Sequence, residues 1–306
     1  MLGLCVSSDD WDSVLEVLDI MKRHGLVQER SSYRSCLQAC VEVGNGASAK
    51  EILTAMEQAL VKPEPADISL VVAAMCRNNK SQAGFWRQAL SLLQSTTAEI
   101  PKGGRGNKDK QVVPVEAYDA VLSCMVAERQ WKQAVQLLRR MEEGSKANFG
   151  SHPKPELSTY RSVLECCVAA SQAEQAVQVL YSCKNHGYPP TVYAFELVIS
   201  ALAKKVMWRR AVQLLDLMGD LNVPKTVGTY NTVISACARA REVGMAKSLL
   251  AKMRKEGVRP NVISFNSVIS ACAGSFRWKE ALELVDQCHR EPGVTPDIYT
   301  YTNAMR

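Results

Sequence analysis

The sequence predicts an all-α protein, an α–α superhelical solenoid of repeated antiparallel helix pairs. Two observations carry this reading. Tyr160, Phe195, Tyr230 and Phe265 recur every 35 residues inside similar text: TYRSVLECC, AFELVISAL, TYNTVISAC and SFNSVISAC. A constant period of that size marks stacked copies of one small unit, each completing its core against its neighbours. Within a copy, apolar residues return at helical spacing, as in Tyr230, Val233, Ile234 and Cys237.

With the aromatic taken as the fourth position, the units are 30–64, 65–114, 115–156, 157–191, 192–226, 227–261 and 262–297. Partial units remain at 1–29 and 298–306, so one solenoid covers the whole chain. Tyr33 and Tyr118 are the fourth-position aromatics of two earlier units, and Ile68 takes that place in unit 65–114. Tyr301 opens the last partial unit. Because Met1 and Arg306 both fall inside a first helix, the chain reads as an internal stretch of a longer array or as a gene model with ragged ends.

Each unit divides into two helices. The first is expected to start after a Ser or Thr at the third position (Ser32, Thr159, Thr229, Ser264), whose hydroxyl can cap free backbone N–H groups. The second carries Ala at position 20, from Ala49 through Ala134, Ala176, Ala211 and Ala246 to Ala281, allowing close helix approach. Met or Cys fills position 27, as in Met56, Met141, Cys183, Met218, Met253 and Cys288. Pro63, Pro190 and Pro260 at position 34, with the equivalent Pro155 and Pro296, stop the second helix. Two segments interrupt the pattern, Ser95 to Pro114 and Gly144 to Pro155. The first contains the basic run KGGRGNKDK (102–110), a solvated loop or a phosphate grip.

Trp11, Trp131, Trp208 and Trp278 share position 17, and Trp86 joins them if five residues are inserted. An indole can stack on a base, but recurrence at the start of the second helix favours packing. The 11 cysteines follow the repeat rather than disulfide or metal spacing. Cys5, Cys40, Cys167, Cys237 and Cys272 share position 11, and Cys76, Cys124 and Cys166 lie one place away, where free Cys acts as a small hydrophobe. No structural metal or cofactor is expected. The net charge of +6, from 37 basic and 31 acidic residues, suits a polyanion without specifying one. No apolar run approaches the roughly 18 residues that span a bilayer, so no membrane partner is expected.

Two-helix repeats of this length come in two main kinds. The Trp-x-x-Leu-Gly pattern of tetratricopeptide repeats is missing. VGTYNTVISAC (227–237) through GVRPN (257–261), and VISFNSVISAC (262–272) through GVTPD (293–297), resemble pentatricopeptide repeats. The resemblance spans nearly the whole chain, is most specific over 157–297, and looks like the family's P-class array.

That resemblance implies a non-enzymatic protein that binds single-stranded RNA at about one base per repeat. It further implies a mitochondrial or chloroplast role in RNA processing, stability or translation. The fifth and last positions of each unit would face a base edge, and the second would flank the base. Asn231 with Asn261 would then read a pyrimidine, cytosine slightly favoured, and Asn266 with Asp297 a uracil. Thr302 would open a purine-reading unit. Ser69, Asp119, Arg161, Glu196 and Thr226 occupy equivalent positions without an assignable base, and Arg34 is expected to pair with Glu64. At the second position Ile263 fits, Gly228 offers no stacking surface, and Glu116 repels phosphate. Arg77, Lys204, Lys205 and Arg239, with Arg241 nearby, are candidate phosphate contacts.

The alternative is a protein-binding scaffold on the same repeats, and no small-molecule substrate is expected in either case. The His-x-Glu and Cys-x-x-Cys signature of nucleobase deaminases is missing.

Overall fold

The computed structural model describes residue 20 and residues 29–77, 84–98, 113–146 and 152–305. The basic run 102–110, and Cys5, Trp11 and Met21 of the first partial unit, lie outside them. The chain divides into two compact units, Met1–Ala170 and Ser171–Arg306. The described residues form helices joined by short turns, with no strand among them.

The first unit contains α1 (Arg30–Val43), α2 (Gly46–Gln58), α3 (Pro65–Arg77), α4 (Phe85–Ala98), α5 (Val115–Ala127), α6 (Trp131–Lys146) and α7 (Leu157–Ala169). The second contains α8 (Ala173–Asn185), α9 (Val192–Lys204), α10 (Trp208–Asp220), α11 (Val227–Arg239), α12 (Val243–Lys255), α13 (Val262–Gly274), α14 (Trp278–Arg290) and α15 (Ile298–Ala304). Odd-numbered helices are the first helices of the repeat. Within each unit every first helix packs on the next first helix and on its neighbouring second helices.

The repeat positions explain the core. Tyr230, Val233, Ile234, Ala236 and Cys237 bury one face of α11. Ala246, Leu249, Leu250 and Met253 bury the facing stripe of α12. The fourth-position rings Tyr118, Tyr160, Phe195, Tyr230 and Phe265 are among the largest fully buried side chains. Their phenol oxygens still find partners: Tyr230 donates to Glu256 Oε2 at 2.6 Å and Tyr160 to Glu142 Oε1 at 2.9 Å. Burial pushes the Glu256 carboxyl up, but hydrogen bonds from Lys225 and Tyr230 outweigh it and leave it below its ordinary value. Cysteines of the described residues, including Cys36, Cys40, Cys166, Cys237 and Cys272, are buried thiols outside any disulfide. Burial raises Cys237 to about 11 and Cys36 to about 12, so both stay protonated hydrophobes.

The helix starts correct one expectation. First helices begin at the first position of the unit, three residues earlier in their caps than the third-position hydroxyl suggested. The N-cap is the last residue of the preceding unit: Thr226 for α11, Asn261 for α13 and Asp297 for α15. The third-position residue is N3 of a reciprocal box, its hydroxyl accepting the N-cap N–H, as Ser264 Oγ accepts Asn261 N–H at 3.1 Å.

The tryptophans follow the packing expectation only in part. Trp86 is buried, 4% exposed, and its indole N–H donates to Glu128 Oε2 at 2.8 Å. Trp131 and Trp208 are half-buried, and Trp278 is 60% exposed. The Cα–Cβ bond leans toward the N-terminus, so a side chain at the helix start lies over the preceding turn rather than wholly in the interface. A cation follows each ring in sequence and sits over it: Arg87, Lys132, Arg209 and Lys279.

The turn between the two helices of a unit adopts left-handed backbone at one position. Gly44 (φ 72°) ends α1, and Gly84 (φ 101°) holds the same register. Later units place Arg129, Ser171, Val206, Arg241 and Phe276 there at φ between 55° and 59°. Gly46 is required differently: a Cβ would lie 2.7 Å from Met75 Cα.

Candidate nucleic-acid interface

The fifth residue of a unit sits at the start of the second turn of its first helix. The last residue is the N-cap of the next first helix, which packs alongside. Stacking therefore brings residues about 30 apart in sequence into one polar junction, and the third residue of the next helix closes it from the buried side. Asp67, Thr159, Thr229, Ser264 and Thr300 are the buried polar residues of the described core, and all occupy that third position.

At the Asn231 junction the hydrogen bonds form a closed ring. Asn231 Nδ2 donates to Asn261 Oδ1 at 3.1 Å, which also accepts Ser264 N–H at 3.1 Å. Asn261 N–H donates to Ser264 Oγ at 3.1 Å, and the Ser264 hydroxyl donates to Asn231 Oδ1 at 2.6 Å. The Asn266 junction repeats it. Asn266 Nδ2 donates to Asp297 Oδ1 at 3.0 Å, Thr300 N–H to Asp297 Oδ1 at 2.9 Å, and the Thr300 hydroxyl to Asn266 Oδ1 at 2.6 Å. The Asn266 hydrogen bond, with the Thr300 backbone N–H, holds the Asp297 carboxyl below its ordinary 3.8.

These bonds fix which atoms remain outward. Ser264 N–H and Thr300 N–H are donors, so each N-cap turns an oxygen toward them. Asn261 then presents its Nδ2, a donor. Asp297 presents Oδ2, an acceptor. Asn231 and Asn266 each keep one N–H and one carbonyl lone pair.

The other junctions use the same three positions. Thr226 and Thr229 hydroxyls donate to Glu196 Oε1 at 2.8 and 3.0 Å. The Thr159 hydroxyl donates to Asp119 Oδ1 at 2.8 Å. Arg34 pairs with Glu64, as expected, at 3.1 Å, and its Nε donates to the buried Asp67 at 2.9 Å. Arg30 pairs with Glu64 as well. The Asp67 hydrogen bond leads the interactions that hold Arg34 protonated. Ser69 does not join such a junction among the described contacts. The Ser69 hydroxyl donates to Ala66 O of its own helix at 2.7 Å, and the residues at the facing positions, Pro114 and Ala117, offer no polar side chain. Arg161 pairs with Glu165 at 2.9 Å along its own helix. Thr302, exposed, donates to Ile298 O at 2.7 Å.

At the second position Ile263 is 61% exposed, and Gly228 and Glu116 are exposed. The structure adds Tyr193 and Tyr299, both exposed at this position. Sequence reasoning missed them, although counting two residues back from each fourth position finds them. The third-position partners were missed in this role too, since the hydroxyls were read only as caps. Lys204, Lys205, Arg239 and Arg241 are exposed at the ends of α9 and α11. Arg77 is already engaged, 2.8 Å from Glu42 and 3.1 Å from Val41 O. Among the described residues no His, Cys, Asp and Glu are grouped to hold a metal ion, and no helix is long and apolar enough to cross a membrane.

Three family models match the sequence. A PPR repeat family model covers residues 225–274, a pentatricopeptide repeat domain model 16–66 and 153–205, and a PPR repeat model 1–26, 116–145, 193–223 and 263–291. No curated protein matches the chain in sequence. Among solved structures it is similar to the pentatricopeptide repeat protein PPR10 in complex with an 18-nt psaJ RNA element, at 19% identity and a TM-score of 0.52 over 96% of this chain. A cysteine-to-serine variant of PPR10 with the same RNA element gives the same values. PPR10 from maize matches at 17% identity, a TM-score of 0.40, and 99% coverage of this chain against 49% of that one. The chain spans 40% of the length of the two RNA-bound chains. Similarity at this level of identity speaks for the fold.

Proposed function

Because the chain belongs to the pentatricopeptide repeat family, we propose that it binds single-stranded RNA along its first helices, selecting bases at the Asn231 and Asn266 junctions. One observation carries the proposal: two adjacent junctions hold the same reading amide in the same orientation and differ in the outward atom of the N-cap. Outward Asn261 Nδ2–H complements cytosine N3, an acceptor. Outward Asp297 Oδ2 complements uracil N3–H, a donor. The spare N–H of Asn231 or Asn266 suits a pyrimidine carbonyl, which both bases have. Exposed Ile263 and Tyr299 would flank the base at Asn266, and stacking on an aromatic contributes about 1–3 kcal/mol per base. Ile263 and Gly228 would flank the base at Asn231, a poorer platform. By family resemblance the RNA 5′ end lies toward the N-terminal units, so Asn231 reads upstream of Asn266.

Lys204, Lys205, Arg239 and Arg241 would contact phosphates. At the N-terminal junction Arg30 and Arg34 form ion pairs with Glu64 and Asp67, which favours a structural role there over base reading. The chain then acts as a non-catalytic adaptor in organellar RNA processing, stability or translation, in a mitochondrion or chloroplast. Binding of a labelled single-stranded RNA pool across a salt series tests the reading. Affinity should fall linearly with salt on logarithmic axes as counterions are released. Absence of binding to single-stranded RNA at low salt would overturn it.

A further inference from the structure

We propose that Ser264 and Thr300 are specificity-determining positioning residues that fix the reading amide of the unit before their own. This inference rests on the proposed base reading. An asparagine amide has two nearly isosteric orientations that exchange donor and acceptor, and only one presents the right pattern to a base. The Ser264 hydroxyl accepts Asn261 N–H and has two acceptors within reach, Asn231 Oδ1 at 2.6 Å and Asn261 Oδ1 at 3.0 Å, the shorter contact being the one to Asn231. Reversing the Asn231 amide would set its oxygen against Asn261 Oδ1, the atom its Nδ2 now reaches at 3.1 Å. Reversing Asn266 would set an oxygen against the Asp297 carboxylate, now 3.0 Å from Nδ2.

The other junctions supply comparisons within the molecule. Where the fifth residue offers a carboxylate or amide oxygen, at Asp119, Glu196, Asn231 and Asn266, the third residue of the next unit is a buried hydroxyl that donates to it. Where the fifth residue is Arg34, the third is the carboxylate Asp67, so donor and acceptor exchange together. Where the third residue is Ala117, the fifth, Ser69, turns onto its own helix. The third residue thus matches the fifth in donor or acceptor character. Selectivity at one base is set by three residues, and the third belongs to the next repeat.

The test measures relative affinities for RNAs that differ only at the upstream base or only at the downstream base, for wild type, Ser264→Ala and Ser264→Thr. Ser264→Ala should cut discrimination at the upstream base by about fivefold or more and leave the downstream base unchanged. Ser264→Thr should restore it, since threonine fills the position at Thr229 and Thr300. Thr300→Ala should act on the downstream base alone, which keeps the test decisive if one variant folds poorly. Unchanged discrimination in both alanine variants, or an equal loss at both bases, overturns the positioning role. A wild type that discriminates at neither base overturns the base-reading proposal, and this one with it.

Discussion

Asn261→Asp exchanges one atom group at the rim of a junction and should move base preference without disturbing the fold. Asn261 Oδ1 accepts Asn231 Nδ2 and Ser264 N–H, both at 3.1 Å. A carboxylate makes the same two bonds at Asp297, at 3.0 and 2.9 Å. The cap of α13 is therefore retained, and a negative N-cap adds about 0.3–1 kcal/mol with the helix dipole. Outward, a donor becomes an acceptor. The contact with cytosine N3 turns from matched to mismatched, and the contact with uracil N3–H does the reverse. A well-placed base contact discriminates by about 1–3 kcal/mol, so the cytosine-to-uracil ratio should fall about 5- to 140-fold. Total affinity should also drop slightly, because the new charge faces phosphates. Competition anisotropy at one salt concentration, with two RNAs differing at the upstream base, reads the ratio directly. A ratio unchanged in a variant that melts like wild type would refute contact between Asn261 and the base. A shift toward cytosine would refute the donor–acceptor reasoning.

Val206→Gly should raise thermal stability by about 0.5–1 kcal/mol. The left-handed backbone costs an L-residue about 1–2 kcal/mol, partly offset by glycine's greater freedom when unfolded; a lower melting temperature would contradict the φ of 59° at Val206. Trp86→Ala should cost about 3–5 kcal/mol in chemical denaturation and Trp278→Ala about 1 kcal/mol or less, as their burial differs so sharply; equal losses would contradict this. The uracil preference at Asn266 should be flat from about pH 7 to 5. The Asp297 carboxyl is depressed, so its ionised contribution is complete above its ordinary 3.8 and is lost only as pH falls through the lower folded value. Loss of preference with a midpoint above 3.8 would show that the carboxylate is not held as described.

The helices and their core faces were legible because each position is stated several times over. Tyr230 alone is an aromatic in a helix; with Tyr160, Phe195 and Phe265 in the same register it becomes a buried face. The cap was misplaced because the box is reciprocal. Asn261 and Ser264 each bond the other's backbone, so the sequence offers two equally good capping residues three apart. The left-handed turns were hidden because Val206, Arg241 and Phe276 stand where Gly44 advertises the conformation. The exposure of Trp278 was missed because recurrence at position 17 says nothing about which way a helix-start side chain leans. The role of Ser264 was illegible for another reason. Its partner Asn231 is 33 residues away, and only the packing of α11 against α13 brings a third-position hydroxyl under the fifth-position amide of the preceding unit.

The most direct measurement is selection from a randomised single-stranded RNA pool, followed by sequencing of the bound fraction. Two adjacent pyrimidines should be enriched, the downstream one a uracil, with binding that weakens as salt rises. Enrichment of no sequence, together with binding unaffected by salt, would contradict base reading at Asn231 and Asn266 and favour a protein-binding scaffold.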